Sequence, residues 1–202
     1  MSFLPAVSLL VVLCGAPETA WKQVARDDGI TVMARTPEGT SVAEVKATAL
    51  VEAPADAVWR VIRDYGNYVK TMPYTQESRV LSSEQEGKVT VFYCLVNAPM
   101  VAQRDFIIRI LDESDWKDGQ GYLKATWTSS HQSAPEREGI VRVKLDTGSW
   151  VLEPREGGTK TFVTYSLLTD PGGSLPGWVA DTANKKSVPD VLRAVRKYAT
   201  AR

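Results

Sequence analysis

The chain has 202 residues, with 24 Lys plus Arg against 24 Asp plus Glu and a single His. That length suits one domain with a sizeable core. A formal charge of zero speaks against a general nucleic-acid binder and gives no electrostatic steering toward an anionic membrane.

Phe3 to Cys14 is almost wholly apolar and too short to span a bilayer, which takes about 20 residues as a helix. Such a run at the N-terminus reads as the core of a signal peptide. Residues 1–20 are therefore expected to be a signal peptide and residues 21–202 the mature domain, periplasmic or secreted. Cytoplasmic residence is the alternative. The signal is imperfect, because no Lys or Arg precedes the apolar run and cleavage after Ala20 would put Glu18 where a small residue is preferred. With this segment removed, Cys94 is the remaining cysteine. It stands in an apolar run without a nearby His or positive cluster and reads as a buried structural thiol.

Trp21 to Arg35 holds the turn signal Asp27-Asp28-Gly29 between two short apolar runs, which predicts a first hairpin or a helix end and a strand. Ala43, Val45, Ala47 and Ala49 alternate with polar residues as a strand whose inward side chains are small and leave room. Pro54 fits a helix first turn, Asp56 favours its positive end, and Val58, Val61, Ile62 and Tyr65 recur at helical spacing up to Gly66. Tyr68 to Pro73 reads as a short second helix. Strands follow at 79–81, 89–95, 106–111, 122–128, 140–145, 149–152 and 161–168, divided by turns rich in Gly, Asp, Ser and Pro. Short connections between strands predict an antiparallel sheet. The last element runs from Pro176 to about Tyr198. Val179, Ala183, Val188, Val191, Leu192 and Val195 lie on one face, and Pro189 predicts a kink or two helices in sequence.

Motifs for chemistry are sparse. His131 stands in a loop by composition and has no second His or close Cys pair to share a metal with, so neither a metal nor a cofactor is expected. No phosphate loop, dinucleotide fingerprint or nucleophile elbow occurs. The only acid or base candidates are Tyr93 and His131, so no catalytic residue is assigned. Val89, Val91, Tyr93 and Leu95 alternate before a turn at Asn97-Ala98-Pro99, and Phe106, Ile108 and Ile110 alternate after it. On pattern alone this pair of strands reads as packed core.

The Arg104-Asp105-Phe106 run after that turn resembles the START lipid-transfer domains. So do His131 and Pro135 ahead of Gly139-Ile140-Val141-Arg142, then Trp150 to Pro154 before Thr161 to Tyr165. Asp170-Pro171-Gly172-Gly173 leads through Leu175 to Trp178 into the last helix in the same order. The resemblance spans about residues 21 to 200. It implies an α+β helix-grip fold: a curved antiparallel sheet wrapped around a long C-terminal helix, with an internal apolar cavity. It further implies a non-enzymatic, monomeric lipid carrier that binds, and transfers between membranes, a lipid or other hydrophobic small molecule, with transient membrane contact. Two alternatives remain open, a polyketide aromatase/cyclase-like enzyme of the same superfamily and a partner-binding domain with a filled core. Strand and helix parity nominate Val91, Tyr93, Ile108, Ile110, Trp127, Val143, Leu145, Trp150, Val188 and Val191 as the ligand-binding lining. Alignment would turn Lys124 inward instead of Trp127, but burying a lysine in an apolar cavity is costly, so alternation is preferred. By alignment, the polar groups that some animal sterol carriers keep in the cavity fall near Val91, Ile110 and Leu145. The implied lining is therefore apolar throughout. The resemblance also implies a gate between the loop Ser129 to Gly139, with few apolar anchors, and the C-terminal helix.

Overall fold

The computed structural model describes residues 20–40, 42–99, 101–130, 134–173, 175 and 177–201, without the side chains of 177–181 and 183–185. The expected signal segment and His131 lie outside the described residues. In chain order the elements are β1 (Lys22–Asp27), β2 (Ile30–Arg35), β3 (Glu44–Val51) and α1 (Ala55–Arg63), then a 3-10 turn at Tyr65–Asn67 that runs into α2 (Tyr68–Thr71). β4 (Thr75–Glu84), β5 (Val89–Val96), β6 (Arg104–Asp112), β7 (Asp115–Lys117) and β8 (Gln120–Ser129) follow. β9 (Val141–Arg142), β10 (Leu145–Arg155), β11 (Lys160–Asp170) and α3 (Gly177–Thr200) complete the chain.

The strands form one curved sheet in the order β1-β2-β3-β11-β10-β8-β6-β5-β4. All neighbours on that path are antiparallel, while the two residues of β9 run parallel to β6. The first hairpin turns on Asp28 and Gly29, both in the left-handed region at φ 49° and 69°. Asp and Gly suit the mirror-image turn that matches strand twist. The chain thus has the expected α+β helix-grip architecture.

Helix α3 lies across one end of the sheet, against β2, β3 and α1. Ala47 and Ala49 on β3 are fully buried in the same cluster as Val188, Leu192 and Val195 of α3. The small side chains therefore do leave room, and the helix takes it: neither alanine lines the cavity described below. Pro189 sits inside a single continuous helix, where the sequence predicts a kink or two helices. Its neighbours Val188 and Leu192 are at most 2% exposed, and that apolar packing outweighs the roughly 3 kcal/mol penalty of an internal proline. Pins of a second kind hold the C-terminal half of α3. Arg193 bridges Asp190 and Asp27, Arg196 reaches the Asp28 carboxylate at 2.8 Å, and the Tyr198 hydroxyl donates to the Lys70 carbonyl at 2.7 Å.

The strands depart most from the sequence pattern between residues 140 and 152. The run 140–145 yields only β9, and β10 then continues unbroken through Asp146-Thr147-Gly148, which reads as a turn. Gly148 is extended and pairs with Trp127 on one side and Leu167 on the other. A Cβ there would collide with the Trp127 indole and the Ser166 carbonyl. The glycine lets the indole lie close over the strand, a close-approach role for strand glycine.

The sheet also carries a small second core on its outer face. Val91, Tyr93, Leu95 and Ile107 are buried there beneath Ala134 and Ile140. The covering segment is fastened by Arg142, which donates to Asp105 at 2.6 and 3.0 Å, and by Arg137, which donates to the Tyr93 hydroxyl. The side chain of Asp105 is 2% exposed. Within the expected loop Ser129 to Gly139, Ala134 is an apolar anchor, and Arg142 beyond it, paired with Asp105, holds the loop through the Ala134 and Pro135 carbonyls. Ala134 lies on the opposite face of the sheet from Val188. Removing one partner of a buried pair strands the other charge, at a cost of about 3–5 kcal/mol. Asp105→Ala should lower unfolding free energy in urea by that order, whereas Glu77→Ala, which breaks only the half-exposed pair with Arg137, should change it by less than about 1 kcal/mol.

Candidate functional site

On the inner face the sheet does not close fully on α3. A cavity of about 250 Å³ remains between β5, β6, β8, β10 and β11 on one side and α2 and the middle of α3 on the other. Phe92 and Cys94 of β5, Phe106, Ile108 and Ile110 of β6, and Ala125 and Trp127 of β8 form one wall. Trp150 and Tyr165 form another, and Ser187 and Val191 of α3 close the far side. The rings are mutually packed. Tyr165 stacks on Trp150 at 4.3 Å and on Trp127 at 5.9 Å between centroids, and Phe92 meets Tyr68 edge-on at 5.4 Å. Offset and edge geometries of this kind are the favoured ones for aromatic pairs.

Six of the nominated residues, Ile108, Ile110, Trp127, Val143, Trp150 and Val191, stand on the cavity wall. Four do not. Val91 and Tyr93 belong to the outer-face core. The register explains why: Phe92 pairs with Ile108 and Thr90 with Ile110, whereas Val91 faces Arg109 and Tyr93 faces Ile107. Directly paired residues share a face, so Val91 and Tyr93 cannot accompany Ile108 and Ile110. β5 is apolar on both faces because both are covered, and alternation alone could not choose between them. Leu145 is 36% exposed, because the chain breaks between β9 and β10 and the parity of Val143 does not carry over. Val188 is buried against the sheet in the main core, beside the cavity and not on its wall. Lys124 is turned away from the cavity and pairs with Glu113 at 3.2 Å.

The implied all-apolar lining is also corrected. Arg104 lines the cavity and donates to the Pro171 carbonyl at 2.9 Å and to the Ala102 carbonyl. It ties the turn before β6 to the turn after β11 and does not pair with Asp105. Asp146 lines the cavity too, at 6% exposure. Its Oδ1 accepts the Trp127 Nε1 hydrogen at 2.8 Å. The Ser129 hydroxyl accepts the Asp146 backbone N–H at 2.8 Å. Sequence reading missed Asp146 because the strand was ended at the apparent turn. Counting back in twos from Trp150 through Gly148 puts it on the inner face.

Burial pushes the Asp146 carboxyl from 3.8 up to about 6, although the Trp127 N–H and the Thr169 hydroxyl favour its ionised form. The other protic groups of the wall move away from neutrality. Burial pushes the Cys94 thiol and the Tyr65 hydroxyl up to about 12 and raises Tyr68 and Tyr165 as well. Cys94 is a free, buried, protonated thiol, not a nucleophile. Tyr93, one of the two acid–base candidates, faces away from the cavity. Among the described residues no three of His, Cys, Asp and Glu come together as a metal-binding group.

The raised carboxyl makes a stability prediction. A group that holds its proton more tightly when folded stabilises the fold below its unfolded pKa, near 4, and loses that contribution as pH rises through about 6. The window is worth roughly 2–3 kcal/mol. Urea midpoints of wild type and Asp146→Asn should therefore be closest near pH 4. The variant should gain relative to wild type up to about pH 7, with no further change to pH 8. A pH-independent difference would contradict the raised value.

Comparison with known proteins places this geometry. A family model described as polyketide cyclase / dehydrase and lipid transport matches residues 51–196. The phosphatidylcholine transfer protein of Bos taurus is 25% identical over 182 residues, covering 88% of this chain and 83% of that protein. A crystal structure of a STAR-related lipid transfer protein from Xanthomonas axonopodis is 27% identical, with a TM-score of 0.77 over 90% of this chain and 99% of that one. An aromatase/cyclase from a Streptomyces species shares the fold at 19% identity, with a TM-score of 0.57 over 77% of this chain and 92% of that one. The helix-grip sheet, the largely apolar pocket between sheet and α3 and a family match across most of the domain agree, and the chain belongs to the polyketide cyclase/dehydrase and lipid transport family, as a START-type member of it.

Proposed function

We propose that the protein binds a lipid or other hydrophobic small molecule in this cavity and carries it without chemical change. The observation that carries the proposal is the cavity itself, about 250 Å³ between the sheet and α3, walled mainly by aromatic and aliphatic side chains of five strands and α3. A packed core would leave no such space. Ligand pockets usually run from about 300 to 1,000 Å³, so the cavity in this state suits one chain or a compact ring system. A two-chain lipid would need α3 or its flanking turns to move outward. Apolar burial is a sufficient drive, since a chain of roughly fifteen methylenes gains about 12 kcal/mol gross at about 0.8 kcal/mol each, before the costs of association. The lipid-transfer names of the similar proteins support this reading. A monomer in brief contact with a membrane is the simplest carrier consistent with it.

An aromatase/cyclase-like enzyme is the second reading. It rests on Asp146, whose pKa of about 6 suits general acid–base work. A relay would need a second group that titrates near neutrality, and the described tyrosines and the cysteine of the wall all keep their protons there.

Native mass spectrometry of the purified protein should show a copurified lipid. Ile108→Trp should fill the cavity, abolish that adduct and weaken binding of a fluorescent fatty-acid analogue at least tenfold, with a melting temperature within a few degrees of wild type. Unchanged binding together with a large loss of stability would mark the site as ordinary core.

We also propose export, on the strength of the apolar run Phe3 to Cys14. N-terminal sequencing of protein recovered from the envelope or the medium should begin after residue 16 or residue 20. An intact Met1 in a cytosolic fraction would overturn it.

A further inference from the structure

We propose that Asp146 is the polar anchor of the cavity and selects ligands whose apolar body ends in a hydrogen-bond donor, a hydroxyl or a protonated amine. This deepens the carrier reading and rests on it.

A carboxylate in an apolar enclosure is strongly disfavoured unless a cation or several donors meet it. Asp146 lies on the wall at 6% exposure, and among the described residues no lysine or arginine forms an ion pair with it. One oxygen, Oδ1, takes the Trp127 N–H. Among the described residues, Trp127 is the side chain that donates a hydrogen bond of proper geometry to this carboxylate. Thr169 Oγ1 lies close enough to favour the ionised form, yet it is fully buried and makes no hydrogen bond of proper geometry. Both residues line the cavity. The wall therefore presents a carboxylate with acceptor capacity to spare beside a buried hydroxyl that can donate or accept, in a mostly apolar surface. Buried polar groups of this kind are rare and call for a partner. A ligand with a donor at its end supplies one, and a cationic donor also neutralises the charge. A ligand with acceptors alone leaves the carboxylate as it is.

The neighbours of Asp146 do not offer a rival explanation for its charge. Trp127 and Ser129 of β8 and Tyr165 and Thr169 of β11 surround it, and Cys94 of β5 is near enough to feel its field. Of these only Cys94 and Tyr165 titrate, both far above neutrality. Arg104 of β6 lines the same cavity and is engaged with the carbonyls of Pro171 and Ala102. Deletion of Asp146 by alanine would strand the Trp127 N–H, whereas asparagine keeps an acceptor for it and keeps the shape. The informative variant is therefore Asp146→Asn.

The experiment displaces a fluorescent dye from the full-length protein with two dodecyl probes, dodecylamine and methyl dodecanoate, below their aggregation limits. Wild type at pH 7.5 should prefer the amine at least tenfold. Asp146→Asn should lose about tenfold in amine affinity and keep ester affinity within about twofold. Dodecylamine stays protonated between pH 5 and 8, so its affinity for wild type should rise severalfold across pH 6 as the carboxyl ionises, and the asparagine variant should show a flat profile. Equal affinity of wild type for the two probes, or an amine affinity unchanged in the variant, would overturn the anchor and leave the carrier reading standing, with Asp146 only a support for Trp127. Failure of both probes to bind wild type would remove the carrier reading and the anchor with it.

Discussion

β5 and the first half of β6 are covered on both sides, and that double burial is the constraint from which the rest of the molecule follows. In a strand, successive side chains point to opposite faces. Phe92 and Cys94 therefore face the cavity while Val91, Tyr93 and Leu95 form a separate apolar layer outside. A layer of that size cannot be left in water without becoming an exposed apolar patch. The segment from Ala134 to Arg142 covers it, and Asp105 and Arg142 hold that segment by a two-pronged ion pair. Adjacent Arg104 and Asp105 then serve opposite sides of the same strand: one braces the cavity mouth, the other fastens the outer cover.

The inner side follows a different rule. Aromatic side chains line the space, yet about 250 Å³ remains between the sheet and α3. Helix and sheet meet where β3 offers alanine, at Ala47 and Ala49, and there Val188, Leu192 and Val195 are sealed. On the same turns of α3, one position round the helix, Ser187 and Val191 reach the cavity instead. The same helix thus closes the core with one part of its face and roofs an empty space with another. The ion pairs from Arg193 and Arg196 to the first hairpin are largely solvent-exposed and add little stability each. Their contribution is to fix where the helix lies, and with it the width of the space.

An unpaired carboxylate in that space is a cost the fold carries without structural return beyond one hydrogen bond to Trp127. A core designed only for stability would hold an amide or an apolar residue at that position. Departures of this kind concentrate at sites of function. The acid is held by the strand that Gly148 allows to run straight, beneath the indole that the same glycine allows to approach.

Much of the architecture was legible in the sequence. Turn chemistry at Asp28-Gly29, the strand alternations, the proline-led helix α1 and the amphipathic last helix all act through neighbours a few residues away, and they specify an antiparallel sheet with a C-terminal helix. The inward set at Ile108, Ile110, Trp127 and Trp150 was legible too, because Arg109 between the two isoleucines, the threonines flanking Trp127 and Ser149 beside Trp150 mark the opposite face. What the tertiary structure decided was the face of any strand that is apolar on both sides, as in β5, where only the register with β6 assigns Val91 and Tyr93 outward. It also decided where parity is interrupted. Lys144 and Leu145 lie at a crossing between strands, while Asp146-Thr147-Gly148 looks like a turn and is extended because the Trp127 indole lies against it. Pro189 stays within one helix for a similar reason, since the packing of Val188 and Leu192 is supplied by distant strands. Local chemistry sets which conformations each segment prefers. Which side is buried, and against what, is set by contacts between residues far apart in the chain, and Asp146 became visible as a site only through them.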